Sequence, residues 1–275
     1  MSKSSKSFSL SASTNFKPSR TDFSSAITAF SDTNSPLISS SSSSSGSDYW
    51  HSFDYGPIHF TGFSTEHDYS AGSEQYQWLA ADLADAVQNR EQIPWIIVYG
   101  HKPMYTSHGD ATHDEDAELR ADLEALFVES GVDLIFWGHD HFYERTWPVI
   151  DAEVQQRGDS ENGKVFSGAH APIHLIVGTA GRGEYDYSDE QPPWSAYREQ
   201  SYGIVKVSVD ITGESLQVDY VRQSGEIGDT FTLRQGDPVP QKEDDSMPAP
   251  SVLLTMMAML MAVMFRVPRS HSSRA

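Results

Sequence analysis

Histidine carries most of the potential chemistry in this sequence, and three histidines lie in two loops of similar context. His101 stands in the motif GHKP after the apolar run 95–99, and His139 and His141 stand in the motif GHDH after the apolar run 132–137. A single histidine after a strand is ordinarily a polar loop residue, but here the arrangement occurs twice. Because imidazole nitrogens are common ligands of catalytic metal ions, the three histidines are candidate metal ligands.

These loops need a sheet that brings them to one edge, and the surrounding pattern predicts such a sheet. The sequence predicts a hairpin over 50–65, a helix beginning at Ser73, a strand over 95–99, a helix over 119–127 and a strand over 132–137. In α/β sheets the loops at the carboxyl ends of the strands converge on one crevice. We therefore expect the two histidine loops to meet there.

The spacing inside the motif GHDH bears on how many metal ions could bind. Side chains at i and i+2 of an extended segment point in opposite directions unless the backbone turns. Gly138 is predicted to allow that turn. Two histidines so close together, with His101 supplying a third nitrogen, suit two neighbouring metal ions better than one.

The rest of the chain predicts an α/β fold class, with helices and strands layered in one domain. Beyond Gly168 the pattern changes to strands only. The expected divisions are a disordered Ser-rich segment at 1–47, the domain at 48–233 with its C-terminal segment at about 168–233, an acidic linker at 234–250, and a short hydrophobic tail with a basic end at 251–275. Disorder is expected at 1–47 because so few apolar side chains cannot offset the entropy of ordering the chain.

Composition excludes several classes of function. The chain has 19 basic and 39 acidic residues, a net charge of −20, and its acidic residues are concentrated in the domain and linker. Binding to nucleic acid needs a basic surface, so no nucleic-acid partner is expected. The sequence has no cysteine, which excludes disulfides, zinc ribbons and thiol nucleophiles. The oligomeric state is left open.

The apolar stretch 252–265 leaves two interpretations open. It holds 14 residues without a charge, followed by Arg266, Arg269 and Arg274. As a helix it would measure about 21 Å, less than the hydrocarbon thickness of about 30 Å. It is therefore either a membrane-associated tail or an apolar end without a membrane role. If it inserts, the arginines favour a cytoplasmic C-terminus, which would make the domain secreted or lumenal and membrane-anchored; no signal peptide is visible.

The order of motifs resembles the purple acid phosphatases, a branch of the calcineurin-like metallophosphoesterases. The resemblance runs from about Asp48 to Leu233 and rests on five segments in the same order as in that family. They are YWHSFDYGPIHFTGFSTE with GSEQYQWL, GHKPMYTS, GHDHFYER, APIHLIVGTAG and WSAYREQSYG. It implies part of the family's β-sandwich flanked by helices.

The resemblance also implies roles for individual residues. His101 and His139 would bind one metal ion, which would be Zn, Fe or Mn. His141 would bind the other ion, which would be ferric iron. His108 would face the substrate as a proton donor to the leaving group. Glu144 and Arg145 would brace the metal loop. The other histidines, His59, His170 and His174 among them, are interpreted as structural or exposed.

The activity implied is hydrolysis of small phosphate monoesters through two metal ions. Metal ions would polarise the ester and lower the pKa of a bound water, so that hydroxide forms at mild pH. An acidic protein repels polyanions, which favours small monoesters and predicts rates that rise as salt screens the surface.

The sequence departs from the family upstream of the two histidine loops. No Gly-Asp pair has a Tyr three residues after the Asp, and no Gly-Asn-His occurs. The resemblance places both aspartate ligands in those motifs, so a truncated or mis-assembled N-terminus and uncovered apolar strand faces are expected. Two alternatives remain: a non-catalytic remnant that acts as an interaction module or membrane tether, and a mononuclear zinc hydrolase using His101, His139 and His141.

Overall fold

The computed structural model describes residues 5–10, 27–28, 42–43, 47–109, 117–159, 163–181, 183–210 and 212–236. The strands, in chain order, are β1 Ser5–Leu10, β2 Ile27–Thr28, β3 Ser42–Ser43, β4 His51–Tyr55, β5 Ile58–Gly62, β6 Trp95–Gly100, β7 Leu134–Trp137, β8 Tyr143–Thr146, β9 Val149–Ile150, β10 Glu153–Val154, β11 Val165–Ser167, β12 Ile173–Val177, β13 Ser195–Glu199, β14 Gly203–Asp210, β15 Ser215–Arg222 and β16 Ile227–Arg234. The helices are α1 Glu74–Gln88 and α2 Ala117–Glu129.

Most of these strands form two sheets. The eight-stranded sheet has the order β13-β8-β12-β7-β6-β5-β4-β3, and the six-stranded sheet has the order β11-β16-β15-β14-β1-β2. Strands β5, β6, β7 and β12 run parallel to one another at the centre of the larger sheet. Their carboxyl ends therefore share one edge, which is where the two histidine loops were expected to meet.

Both helices pack on one face of the eight-stranded sheet. Helix α1 begins where the Ser73 side chain accepts a hydrogen bond from the Tyr76 N–H at 3.1 Å, and it buries Leu79 and Leu83. Ala86 completes its buried face, whereas the neighbouring Val87 is 40% exposed. Helix α2 contributes three more buried apolar side chains to the same core: Leu119, Leu123 and Phe127. The predicted helices are confirmed.

The six-stranded sheet covers the opposite face of the eight-stranded sheet. Side chains such as Ile97 and Leu175 of the larger sheet are buried in one core with Val207, Val218 and Phe231 of the smaller. The fold is therefore a sandwich of two sheets with helices on one side, as expected. Within the described ranges the apolar strand faces of the eight-stranded sheet are buried, so the expectation of uncovered faces is wrong for these strands.

Three short strands lie inside the Ser-rich segment that was expected to be disordered. Strand β1 pairs antiparallel with β14 over Ser5–Leu10, and β3 pairs with β4. An edge strand offers unpaired backbone groups to any neighbouring segment, so this pairing does not need an apolar sequence. The rest of 1–46 lies outside the described residues, as do the linker beyond 236 and the tail at 251–275.

In the described part of the chain, no helix has the length and apolar character needed to cross a membrane. The stretch 252–265 lies outside that part.

Candidate metal centre

His101 and His139 lie side by side at the carboxyl edge of the eight-stranded sheet. Each follows one of two parallel neighbours, β6 and β7, and the Gly138 N–H donates a hydrogen bond to the His101 carbonyl at 3.0 Å. Nε2 of His101 is 3.2 Å from Nδ1 of His139. Two ring nitrogens that converge in this way can share a proton or hold one cation between them.

The backbone turn that aims these rings is made by His139 itself. His139 has φ 64°, and the Asp140 N–H donates to the Gly138 carbonyl at 2.8 Å, which is the pattern of a classic γ-turn. Gly138, which was expected to allow the turn, has no positive φ, so the positive φ of the turn falls on His139. A non-glycine residue in this region is strained, and such strain concentrates at functional sites.

The backbone of the motif GHDH packs closely against Gly178, which follows β12. A Cβ atom at Gly178 would lie 2.0 Å from the Asp140 carbonyl oxygen. Only glycine permits this approach of the two backbones. The close approach fixes the loop between the two histidines against the end of a third parallel strand.

His141 is buried, and its ring is oriented by two contacts. Its Nδ1 lies 3.0 Å from the Gly183 carbonyl, and its ring centroid is 3.9 Å from that of Tyr185. A carbonyl oxygen can only accept, so Nδ1 carries a proton, and in the neutral ring Nε2 is the nitrogen with the lone pair. Fixing the tautomer through the other ring nitrogen is the usual way in which a protein prepares a histidine to bind metal.

His108, the predicted proton donor, lies near His141. Its ring centroid is 5.3 Å from that of Tyr185, which also contacts His141, and 6.1 Å from that of Phe142. Its backbone N–H donates to the Thr106 hydroxyl at 3.1 Å. The structure thus brings His101 together with His139, and His108 together with His141 around Tyr185.

The donor set fits two metal ions in part. Nε2 of His101 and Nδ1 of His139 would supply two ligands to one ion, and Nε2 of His141 one ligand to a second. Burial lowers the pKa of His101, which favours the neutral ring that binds metal. Among the described residues, however, no group of three or more His, Cys, Asp or Glu side chains is placed to hold a single ion.

Asp140 lies between two of the predicted ligands in sequence but faces the protein interior. Its Oδ2 accepts a hydrogen bond from the Thr106 hydroxyl at 2.5 Å. Burial raises the pKa of this carboxyl to about 7. Asp140 therefore holds the loop that carries His108 and does not complete the ligand set.

Residues 183–188, here called the strap, cross both histidine loops and were missed by sequence reasoning. The Tyr185 N–H donates to the His141 carbonyl at 3.2 Å, and the Ser188 N–H donates to the Ser107 carbonyl at 2.7 Å. His108 forms an isolated β-bridge with Tyr187. The segment has no regular periodicity, and the only sequence signal is a pair of tyrosines shortly after the end of a strand.

Glu144 and Arg145 differ in what they brace. The buried Glu144 carboxylate accepts from the Ser107 N–H at 2.9 Å and from the Ser195 hydroxyl at 2.6 Å, so it holds the loop beside His108, as expected. Arg145 points to the other face of β8 and donates from Nε to the Asp229 carboxylate at 2.6 Å. The expectation that Arg145 braces the metal loop is wrong; it joins the two sheets.

Two family models match the chain in the order of its two halves. Residues 27–143 match the model described as calcineurin-like phosphoesterase, and residues 171–230 match the model described as iron/zinc purple acid phosphatase-like protein C. The chain belongs to the purple acid phosphatase family. Together the two ranges include most of the described residues and the histidines of both loops.

Relatives of this purple acid phosphatase chain carry two kinds of name. It is 38% identical over 209 residues to acid phosphatase type 7 of Danio rerio, covering 67% of this chain and 46% of the relative. It is 36% identical over 190 residues to probable inactive purple acid phosphatase 27 of Arabidopsis thaliana, covering 67% of this chain and 30% of the relative. Family membership therefore leaves activity undecided.

A solved structure from the same family has a similar fold. The structure of a purple acid phosphatase from yellow lupin (Lupinus luteus) seeds matches with a TM-score of 0.63 and 28% identity, over 72% of this chain and 36% of that one. This chain spans less than half the length of the curated relatives named above.

Proposed function

We propose that this chain forms part of a metal-dependent phosphatase that hydrolyses small phosphate monoesters. The proposed enzyme uses two metal ions, Fe together with Zn, Mn or Fe. The observation that carries the proposal is the convergence of His101 Nε2 and His139 Nδ1 at 3.2 Å on the carboxyl edge of the sheet. His141, with its Nδ1 on the Gly183 carbonyl, would hold the second ion through Nε2.

The residues of the chain have separate tasks in this proposal. When bound, the metal ions would polarise the phosphate ester and lower the pKa of a water molecule. His108 would donate a proton to the leaving-group oxygen, and its loop is held in place by Glu144 through Ser107. Tyr185 covers one face of His141 and keeps water from that side of the ring.

The net charge of −20 supports a small substrate. Long-range repulsion of an anionic ester grows with the number of its phosphates, so a monoester is disfavoured least. Nucleic acid is not proposed as a substrate or partner. Location outside the cytosol, and membrane association through 252–265, remain proposals supported by the sequence pattern alone.

The test is elemental analysis of the full chain together with turnover of p-nitrophenyl phosphate in the same samples. Two metals per chain with turnover, both lost in His101→Ala and in His139→Ala, support the proposal. Lys206→Gln is the control, because this residue lies on β14 of the six-stranded sheet and outside the proposed ligand set. One zinc per chain without iron would favour the mononuclear hydrolase.

A second candidate is a non-catalytic binding module. It is supported by the lack, among the described residues, of three side chains placed to hold one ion, and by relatives named probable inactive. No bound metal and no turnover in the full chain would overturn the phosphatase proposal and favour this candidate.

A further inference from the structure

A cavity lies at the opposite end of the eight-stranded sheet from the histidines. It has a volume of about 290 Å³, and its wall includes Trp95 at the start of β6 and Asp133 just before β7. His101 follows the other end of β6. At about 3.3 Å per residue, Trp95 and His101 are roughly 20 Å apart along that strand. The cavity is therefore separate from the candidate metal centre.

Cationic side chains surround this cavity although the protein is acidic. Arg90, Arg234 and His170 line it, and Asp133 is the one carboxylate among its lining residues. Asp133 is paired with Arg90, whose Nη1 lies 3.2 Å from its Oδ2. With Asp133 paired to Arg90, no other carboxylate among the described lining residues offsets the charge of Arg234.

The guanidinium of Arg90 is fixed before any ligand arrives. Its Nη1 donates to the Pro94 carbonyl at 2.6 Å, and its Nη2 donates to the Gly131 carbonyl. Gly131 has φ 61°, and a Cβ there would come within 3.3 Å of that Nη2, so glycine is what lets the two groups meet. A guanidinium already held in place loses little entropy when it binds an anion.

Arg234 and His170 bring further donors to the lining of the cavity. The Gly168 N–H donates to the Arg234 carbonyl at 3.0 Å, which holds the end of β16 beside the segment that carries His170. Both residues are exposed. Neither side chain forms a hydrogen bond or ion pair with another residue in the described ranges. Their N–H groups therefore remain available to a ligand.

We propose that this cavity binds a small oxyanion, a phosphate group, between Arg90, Arg234 and His170. The guanidinium of Arg234 presents paired N–H donors whose spacing matches the oxygens of phosphate, and Arg90 adds a fixed positive charge beside them. A cavity of 290 Å³ is at the small end of ligand sites, which suits a compact anion better than a large cofactor. Burial raises the pKa of Asp133 to about 6, despite the nearby Arg90, so its competing negative charge weakens in acid.

The experiment is a titration of the metal-free full chain with inorganic phosphate at pH 6. Binding is monitored through the chemical shifts of the backbone amides. Saturable shifts are expected at 168–170 and 233–236. The double variant Arg234→Gln with His170→Gln should raise the dissociation constant for phosphate, measured at these amides, at least tenfold. Lys206→Gln, a cation on β14 outside the cavity, is the matched control and should leave that constant unchanged.

Three results would overturn the proposal: no saturable shift at these amides, equal affinity in the double variant, or equal affinity for chloride. The metal-free chain separates this site from the proposed phosphatase. Shifts confined to the loops that carry His101 and His139 would show phosphate at the histidine end only, and would likewise overturn it.

Discussion

At the scale of single residues, the candidate metal centre depends on how two strand ends aim their side chains. The meeting of His101 and His139 could be predicted, because both follow apolar strands that run parallel and adjacent. The contact of His141 with Gly183 could not, because these residues are 42 positions apart and joined through an irregular loop. The γ-turn at His139 was not predicted, because the neighbouring Gly138 was expected to allow the turn.

The first prediction concerns Gly178→Ala. The new Cβ would lie 2.0 Å from the Asp140 carbonyl oxygen, so the GHDH loop must move or the strand end must shift. We expect a loss of about 1–3 kcal/mol in the free energy of unfolding. The affinity for Zn²⁺, measured by competition with a chelator, should fall as well.

Gly183→Ala is the control for this change. An added Cβ at Gly183 meets no atom within 4 Å, and the residue lies in the strap next to the same loop. Its stability and Zn²⁺ affinity should stay near those of the unchanged chain. If Gly178→Ala also left both quantities unchanged, the close approach would have no part in holding the loop.

At the scale of elements, the β4–β5 hairpin is joined to helix α1 by a buried charged network. His59 lies between Asp54, at 2.7 Å from Nδ1, and Asp82 of α1, at 3.1 Å from Nε2. Asp82 also accepts hydrogen bonds from the hydroxyls of Ser52 and Thr61. These partners outweigh the effect of burial on both charged groups.

The second prediction follows from the opposite pKa shifts of this pair. Burial lowers the pKa of His59, but the hydrogen bonds and charges of Asp82 and Asp54 raise it above its usual value of 6.5 overall. Burial raises the pKa of Asp82, yet His59 and Ser52 lower it below 3.8 overall. The His59 contribution to stability is thus complete below about pH 6.5 and lost as pH rises through its raised pKa; the Asp82 contribution is complete above about pH 4 and lost as pH falls.

His59→Gln should therefore cost most between about pH 4 and 6.5, by about 2 kcal/mol, and progressively less at higher pH. Urea unfolding at several pH values measures this difference. His170→Gln, an exposed histidine, is the control and should give a difference near zero throughout. A cost for His59→Gln that does not vary with pH would mean that its charge contributes nothing.

The helices and strands that could be predicted are those with a regular pattern of apolar residues. Helix α1 and strands β6 and β7 follow from apolar spacing and continuous apolar runs. Strand β8 (YERT) and strand β13 (SAYRE) were missed, because polar residues that are buried in β8 and partly buried in β13 are held by specific partners. Glu144, for instance, is buried between Ser107 and Ser195, and no local pattern identifies such partners.

At the scale of the whole molecule, a buried ion pair crosses between the two sheets. Arg145 of β8 and Asp229 of β16 are both buried, and Tyr143 also donates to Asp229 at 3.1 Å. The third prediction is that Asp229→Ala costs about 3–5 kcal/mol in the free energy of unfolding, because it leaves a buried guanidinium without its carboxylate.

Glu226→Ala is the matched control for Asp229→Ala. Glu226 is an exposed carboxylate at 3.8 Å from Arg222, so its loss should cost less than about 1 kcal/mol. Chemical denaturation of both variants provides the comparison. Equal costs would show that the pair between the sheets does not hold the sandwich together.

The fourth prediction concerns the net charge of −20. If the proposed phosphatase activity is present, kcat/KM for p-nitrophenyl phosphate should rise with NaCl, because salt screens the repulsion between the protein and the anionic ester. The binding of an uncharged compound with the same nitrophenyl ring should depend less on the concentration of NaCl. A rate constant that falls as salt is added would contradict this.

The position of β12 has a consequence for how the chain folds. β12 lies between β7 and β8, although both precede it in the chain and are joined through the GHDH loop. During synthesis β7 and β8 have no common partner until β12 emerges and inserts between them. The histidine loop is therefore closed late, by a contact far along the chain, and such non-local pairing makes refolding slow.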